Sequence, residues 1–490
     1  FWLSKKAKRA LRYRVERPKN KSPYLVFEVF HPKNETESSA GTVVRANATC
    51  PCCQTVLPAA RVRSQLVAQR GGANVVWGAK GVRVGGALLL AVVVQRDEKG
   101  REFRLPTARD YNAVESATAA LGRKTAHCLA NGLSVTPDEA LPSRNTLGLR
   151  LPNYGVLTWS DLFSIRQLLS LGVLSEKVRD FAKEAIKTDH PLPLQEMLAL
   201  AVSRVADYCS ANCSLHVGRD VVRNTWARNA LPIVWDYYES VPCGNGSGNF
   251  DGALDWVARV AEEFGKASPP KTGQVQLADA CVSALPDNSV SLWVSDPPYY
   301  NSIGYAESSD FFFVWLKRMF VKHPLLRDPF DPKNPLTPKN RECIQDDSFE
   351  EVYGTKKDSD FFERTISRAF HEGRRVLRDD GIACVVFAHK STEGWEALLG
   401  GLISSGLVVT GSWPIETEMK NKVSGAQVGV QKAMLLASIH LVLRPRPADA
   451  GVGDWSEVKA AMEKRIREWL PTLVKHGVRG ADAIFSCLGP

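Results

Sequence analysis

The chain has 490 residues, 44% of them apolar and 24% charged, with a formal net charge of +10. That length allows about three domains of roughly 150 residues each, and the composition excludes wholesale disorder. The longest apolar run, Ala87 to Val94, is far too short for a membrane helix of ~20 residues; eleven scattered cysteines, an odd number, exclude a secreted disulfide framework and fit a reducing cytoplasm.

Residues 1–40 are basic and polar, with Lys5, Lys6, Lys8, Arg9, Arg12 and Arg14 clustered near the start and Pro18, Pro23 and Pro32 breaking any long helix. A Cys-rich knuckle lies within Gly41 to Leu57. Leu88 to Gln95 and Arg101 to Leu105 read as strands joined by a turn at Asp97–Gly100. Pro137 to Pro152 reads as a linker. Trp159 to Ala185 and Leu194 to Tyr208 carry apolar residues at three- and four-residue spacings, which predicts amphipathic helices, the first capped by Ser160 or Asp161. A flexible loop, Gly244–Gly248, precedes a helix from about Leu254 to Phe264.

After Gly273 the pattern alternates. Val275–Leu277, Val290–Ser295, Ile382–Ala388, Leu407–Ile415 and Ala433–Leu443 read as strands. Ser309–Phe320, Ser359–Leu377 and Gly394–Ile403 read as helices. Such alternation predicts an α/β fold with a mostly parallel sheet, whose ligand crevice lies beyond the carboxyl ends of the strands.

The sharpest signal is Ser295-Asp296-Pro297-Pro298-Tyr299-Tyr300, directly after the apolar strand. Two prolines fix the backbone and remove two N–H donors. One carboxylate and one ring are then held at a set separation. That suits a flat heterocycle with an exocyclic amine. The Asp296 carboxylate and Pro297 carbonyl accept from the NH₂, and Tyr299 stacks on the ring at about 1–3 kcal/mol. The plainer reading is a Pro-Pro turn with an aromatic packed on it.

The run DPPYYNSIGYAESSDFFFVWLKR (Asp296 to Arg318) resembles the adenine-specific DNA methylases containing a Zn-ribbon. So do TWSDLFSIRQLLSL (Thr158 to Leu171), RNALPIVWDYYE (Arg228 to Glu239), GIACVVFAHKSTEGWEALL (Gly381 to Leu399) and SWPIETEM (Ser412 to Met419), in family order. The resemblance implies a Rossmann-like methyltransferase sheet with an inserted β-rich Zn-ribbon module and a helical region. It also implies transfer of a methyl group from S-adenosyl-L-methionine to N6 of an adenine flipped out of DNA, at a cost of a few kcal/mol. Its catalytic residues are Asp296, Pro297, Pro298 and Tyr299. Tyr300, Trp413 and Pro414 line the target-base pocket, and Asp279 and Ala280, at the end of the strand Val275–Leu277, contact the cofactor. Asp310 is read as a helix-start acid favoured by the dipole. Restriction–modification is a guess from the enzyme class alone.

The implied domains are a Zn-ribbon-like module over 1–150, a helical target-recognition region over 151–270, the catalytic part over 271–450 and a helical segment over 451–490. The family's Gly-rich cofactor loop and one Cys pair are expected upstream of Phe1. Cys50 and Cys53 then supply only half of a four-ligand zinc site. A rescue by Cys209, Cys213 and His216 competes with their being buried packing residues, the preferred reading. Arg61, Arg63, Arg70 and the basic start are candidate phosphate contacts, which position DNA without specifying its sequence. Two alternatives stay open: methylation of cytosine N4 or of an RNA base amine, and a nucleic-acid-binding protein, or a subunit completed by a partner, without catalysis of its own.

Overall fold

In the computed structural model, the described residues are 1–38, 41–78, 83–95, 100–129, 132–142, 148–184, 191–227, 230–267, 273–301, 303–320, 322–389, 391–416, 437–475, 478 and 481–487. They form two units. One comprises Phe1–Gln274 and Ala306–Pro338; the other comprises Val275–Tyr305 and Lys339–Pro490. The predicted turn at Asp97 falls almost wholly outside the described residues, as does the start of the predicted strand at Ala433.

The first unit opens with β1 (Trp2–Ser4), β2 (Arg9–Glu16) and β3 (Tyr24–Phe30), an antiparallel sheet in that order. Across β2 and β3, Tyr13 meets Phe27 edge to face and Arg12 pairs with Glu28, the side-chain pairs that stabilise a half-exposed sheet. β4 (Val43–Val44), β5 (Asn47–Thr49) and β6 (Val56–Leu57) form a second small sheet, with the Cys50–Gln54 turn joining β5 to β6. Helix α1 (Ala59–Val67), the pair β7 (Val75–Trp77) and β8 (Arg83–Gly86), and the hairpin β9 (Val92–Gln95) and β10 (Arg101–Arg104) follow. The predicted strand at Leu88 thus begins four residues later.

Helix α2 (Ala108–Thr125) starts in a capping box between Thr107 and Asp110. The predicted helix from Trp159 is two elements: a 3₁₀ turn, Trp159–Leu162, then α3 (Ile165–Glu184). Its cap is Thr158, with Asp161 returning the hydrogen bond, and neither Ser160 nor Asp161 is the cap itself. Helix α4 (Pro191–Tyr208), the pair β11 (Ser214–His216) and β12 (Val221–Arg223), α5 (Phe250–Ala267) and α6 (Tyr305–Met319) complete the unit. Its core gathers Trp159, Phe163, Leu171, Val202, Phe311 and Trp315. The Phe163 and Phe311 rings stack 5.8 Å apart.

Inside that core the Arg318 guanidinium is fully buried. It donates to Glu139 and Asp138 and to the carbonyls of Ser134, Thr136 and Val314. Asp310, predicted as a dipole-favoured helix start, is instead buried in the second turn of α6 and accepts from the amide and hydroxyl of Thr337.

The second unit is built on one four-stranded sheet of order β13-β14-β16-β15, from β13 (Val290–Ser295), β14 (Leu377–Phe387), β15 (Leu407–Glu416) and β16 (Ala437–Pro445). β13 pairs with β14 in parallel, whereas β16 runs antiparallel to both β14 and β15. Three strands therefore share one direction and the last in sequence is inserted against them. The mostly parallel sheet holds for strand direction but not for pairing. Val275–Leu277 is not a strand: among the described residues nothing pairs with it. β14 is buried on one face only, through Gly381, Ala383, Val385 and Phe387.

Helices α7 (Phe349–Tyr353), α8 (Ser359–Val376), α9 (Thr392–Ser404), α10 (Trp455–Lys475) and α11 (Ala481–Ser486) accompany the sheet. α8 starts where the Asp358 carboxylate accepts from the Phe361 amide. It buries Phe362, Ile366, Phe370 and Gly373, one stripe at helical spacing. A Cβ on Gly373 would stand 2.5 Å from the Trp293 ring of β13, so only glycine lets helix and strand approach this closely. No helix among the described residues is long and apolar enough to cross a membrane.

Candidate active site at the tip of the edge strand

The strand β13 ends at Ser295, and Asp296 is the first residue past the sheet. The next residues leave the sheet because Pro297 and Pro298 have no N–H to offer β14. Asp296 is exposed, Pro297 is buried, and Pro298, Tyr299 and Tyr300 are half-buried. Tyr300 adopts a left-handed backbone, φ 49°, which turns the chain sharply. The Gln345 amide fixes the turn by donating to the Tyr300 carbonyl at 3.2 Å.

The two tyrosines point into different surroundings. Tyr299 lies edge-on to Phe387, centroids 5.5 Å apart. Burial first, then the Asp296 charge, push the Tyr299 phenol well above its ordinary range, so it stays protonated. Tyr300 meets Phe362 at 4.9 Å and His389 at 5.5 Å, both edge-on. The Tyr305 phenol is raised mainly by burial, and its own amide donates to Glu342 at 2.9 Å.

Sequence reasoning missed His389, Phe387 and Tyr305. His389 follows β14, the parallel neighbour of β13, so the pairing sets it beside the Asp296 turn. It is buried, its Nδ1 accepts from the Ser391 amide at 3.2 Å, and its carbonyl accepts from Trp395 Nε1 at 3.1 Å. Gly394 gives it room: a Cβ there would lie 2.5 Å from Nδ1. The signal was its place at the carboxyl end of an apolar strand.

A cavity of about 720 Å³ opens beside the turn, lined by Tyr300, Glu363, Arg364, Ser367, Glu393 and Glu396 among others. Tyr300 borders this cavity, whereas Asp296 and Tyr299 do not line it. Trp413 is 66% exposed and Pro414 pairs with Ile439. Because β15 shares the direction of β13, they stand toward the same end of the sheet as Asp296. The strand order separates them by β14 and β16, roughly 14 Å at ordinary strand spacing.

Asp279 and Ala280 lie in an irregular segment and end no strand. Burial raises the Asp279 carboxyl, but the Cys281 amide and Arg341 outweigh it and hold it below the ordinary range. That carboxylate is committed to Arg341 at 3.0 Å and to the Cys281 amide at 2.9 Å. Paired in this way, the Asp279 carboxylate is not free to hold S-adenosyl-L-methionine.

Cys50 is half-buried and Cys53 exposed on the β5–β6 turn. The Cys53 thiol, held by Thr55 first and then by Cys50, is lowered to about 7. Among the described residues no three His, Cys, Asp or Glu side chains gather as a metal site. Cys209 and Cys213 are fully buried, with Cys213 among Ser210 and Thr225, so they are packing residues. Two thiols alone do not fit a structural zinc.

Of the candidate phosphate contacts, Arg70 is clamped on both oxygens of Asp161, and Arg63 lies over the Tyr154 ring. Lys5, Arg12 and Arg14 pair with Glu35, Glu28 and Glu16. No family model matches the chain, and no curated protein or solved structure matches it.

Proposed function

We propose that the protein is a DNA amino-methyltransferase acting on adenine N6, with the Asp296–Tyr299 turn as its base-gripping element. The observation that carries this reading is the placement of Asp296: an exposed carboxylate at the carboxyl end of a parallel strand, followed by two prolines and flanked by aromatic rings. Ligands of α/β sheets gather at that end. Asp296 accepts an N–H of the base amine and holds the nitrogen lone pair toward the methyl donor. The Pro297 carbonyl offers the second acceptor. Tyr299 and Tyr300 supply aromatic surface for a base extruded from the stack.

In this class S-adenosyl-L-methionine supplies the methyl group. The Asp279 pairing argues against Asp279 and Ala280 as its holders. The Rossmann-like sheet and DNA as partner belong to the same proposal, as does a Zn-ribbon-like fold of β4–β6 without a zinc of its own. Supporting it are the α/β architecture and the Cys50–Cys53 knuckle at a β-turn.

The test is nucleoside analysis of DNA incubated with the protein and labelled S-adenosyl-L-methionine. N6-methyladenine in the wild type and none in Asp296→Ala is the expected result. N4-methylcytosine or a methylated RNA base transfers the reading to another amine. Absence of any methylated base with wild-type protein that binds DNA favours a binding protein without catalysis.

A further inference from the structure

The first unit holds a second pocket, of about 330 Å³, that the amino-methyltransferase reading does not use. Helix α4 supplies Arg204 and Tyr208, β12 supplies Val222, the loop before α5 supplies Ser247 and Asn249, and α5 supplies Trp256. The Arg204 guanidinium lies 5.4 Å from the Tyr208 ring centre and 4.9 Å from that of Trp256. Trp256 is 57% exposed, a large ring left open on the surface.

The pocket is built rather than incidental. Gly248 has φ +83°, and a Cβ there would stand 2.8 Å from Tyr208, so the loop closes on the ring only because it has none. Ser247 Oγ accepts from the Val222 amide at 3.0 Å, and Asn249 ties the loop by donating to the Gly244 carbonyl at 2.7 Å and accepting from Gly252. Among the described residues, the one charged side chain lining the pocket is Arg204. The nearest acid on α4, Asp207, is turned to Asn224 and to the Trp226 amide.

A single cation beside open aromatic surface, with no acid on the wall, selects an anion attached to a flat ring. The volume suits one such unit, near the lower end of small-molecule sites. Guanidinium groups pair well with phosphate, and bases stack on tryptophan without regard to sequence. We propose that this pocket binds a nucleotide, its phosphate on Arg204 and its base on Trp256. The nucleotide comes either free or as one unit of a single strand, and the chemistry is the same for both.

The test measures binding of two probes to the full chain: a fluorescent single-stranded DNA oligonucleotide, and dAMP as its competitor. Arg204→Gln and Trp256→Ala are each expected to weaken oligonucleotide binding about tenfold, and Trp256→Phe to restore most of it. Competition by dAMP assigns the pocket to a free nucleotide. Variant-sensitive binding that dAMP does not displace assigns it to a strand. Affinity unchanged within about twofold in both variants overturns the proposal, as does a wild-type chain that binds neither probe. In those cases the Arg204 cluster only packs α4 on α5. The outcome is independent of methylation, since Asp296→Ala leaves this pocket intact.

Discussion

The Tyr299 ring lies edge-on to Phe387, centroids 5.5 Å apart, and the charge of nearby Asp296 adds to burial in raising its phenol. Tyr299→Phe removes the hydroxyl while keeping the ring. It is expected to retain methylation, whereas Tyr299→Ala loses base capture by about 1–3 kcal/mol. Asp296→Ala is expected to abolish methylation and leave DNA binding nearly intact, because its carboxylate anchors no phosphate. Steady-state rates at limiting DNA distinguish these cases. Full activity in Asp296→Ala refutes the assignment.

Gly373 sets the distance between α8 and β13. Its added methyl would stand 2.5 Å from Trp293. Gly373→Ala is expected to destabilise by about 1–3 kcal/mol through overpacking. An unchanged midpoint in urea would show that the helix shifts freely away from the strand.

Glu372 accepts from Arg375 and from the Ser283 amide. Arg375 first and the amide second lower its carboxyl from 4.5 to about 2. Its folded value thus lies below its unfolded one, so its contribution is present above about pH 4.5 and is lost as pH falls toward 2. Arg375 is 34% exposed, and solvent screening keeps the contribution small. Glu372→Gln is expected to flatten the acid arm of the stability curve below about pH 4.5 and to lower stability at pH 7. Parallel curves for the two proteins count against this linkage.

Arg318 is a charge without water. Two acids and three carbonyls satisfy it. Arg318→Ala is expected to cost about 3–5 kcal/mol, since it leaves buried acceptors without their donor. The loss should be visible in thermal unfolding, and a shift of less than about 1 °C would overturn the assignment of Arg318 as the core's polar anchor.

Much of the local structure was legible in the residues. VSLWVS forms a strand with the predicted bounds, because an apolar run stopped by two prolines has few other options. The spacing of Phe362, Ile366 and Phe370 announced α8. The burial of Cys209 and Cys213 followed from an amphipathic helix ending beside them. Val275–Leu277 has a strand-like composition and still forms none, since composition does not supply a pairing partner.

The sequence by itself determined where the Asp296 turn begins and which residue types it carries, because proline stereochemistry and apolar periodicity act over a few residues. Only the tertiary structure decided that β14 lies in parallel beside β13, that β16 is inserted against the others, and that His389 therefore stands next to Tyr300. The β13–β14 pairing and the Tyr300–His389 contact join residues about 90 positions apart in the chain. Such closures are selected by packing of the whole sheet, and no local pattern encodes them.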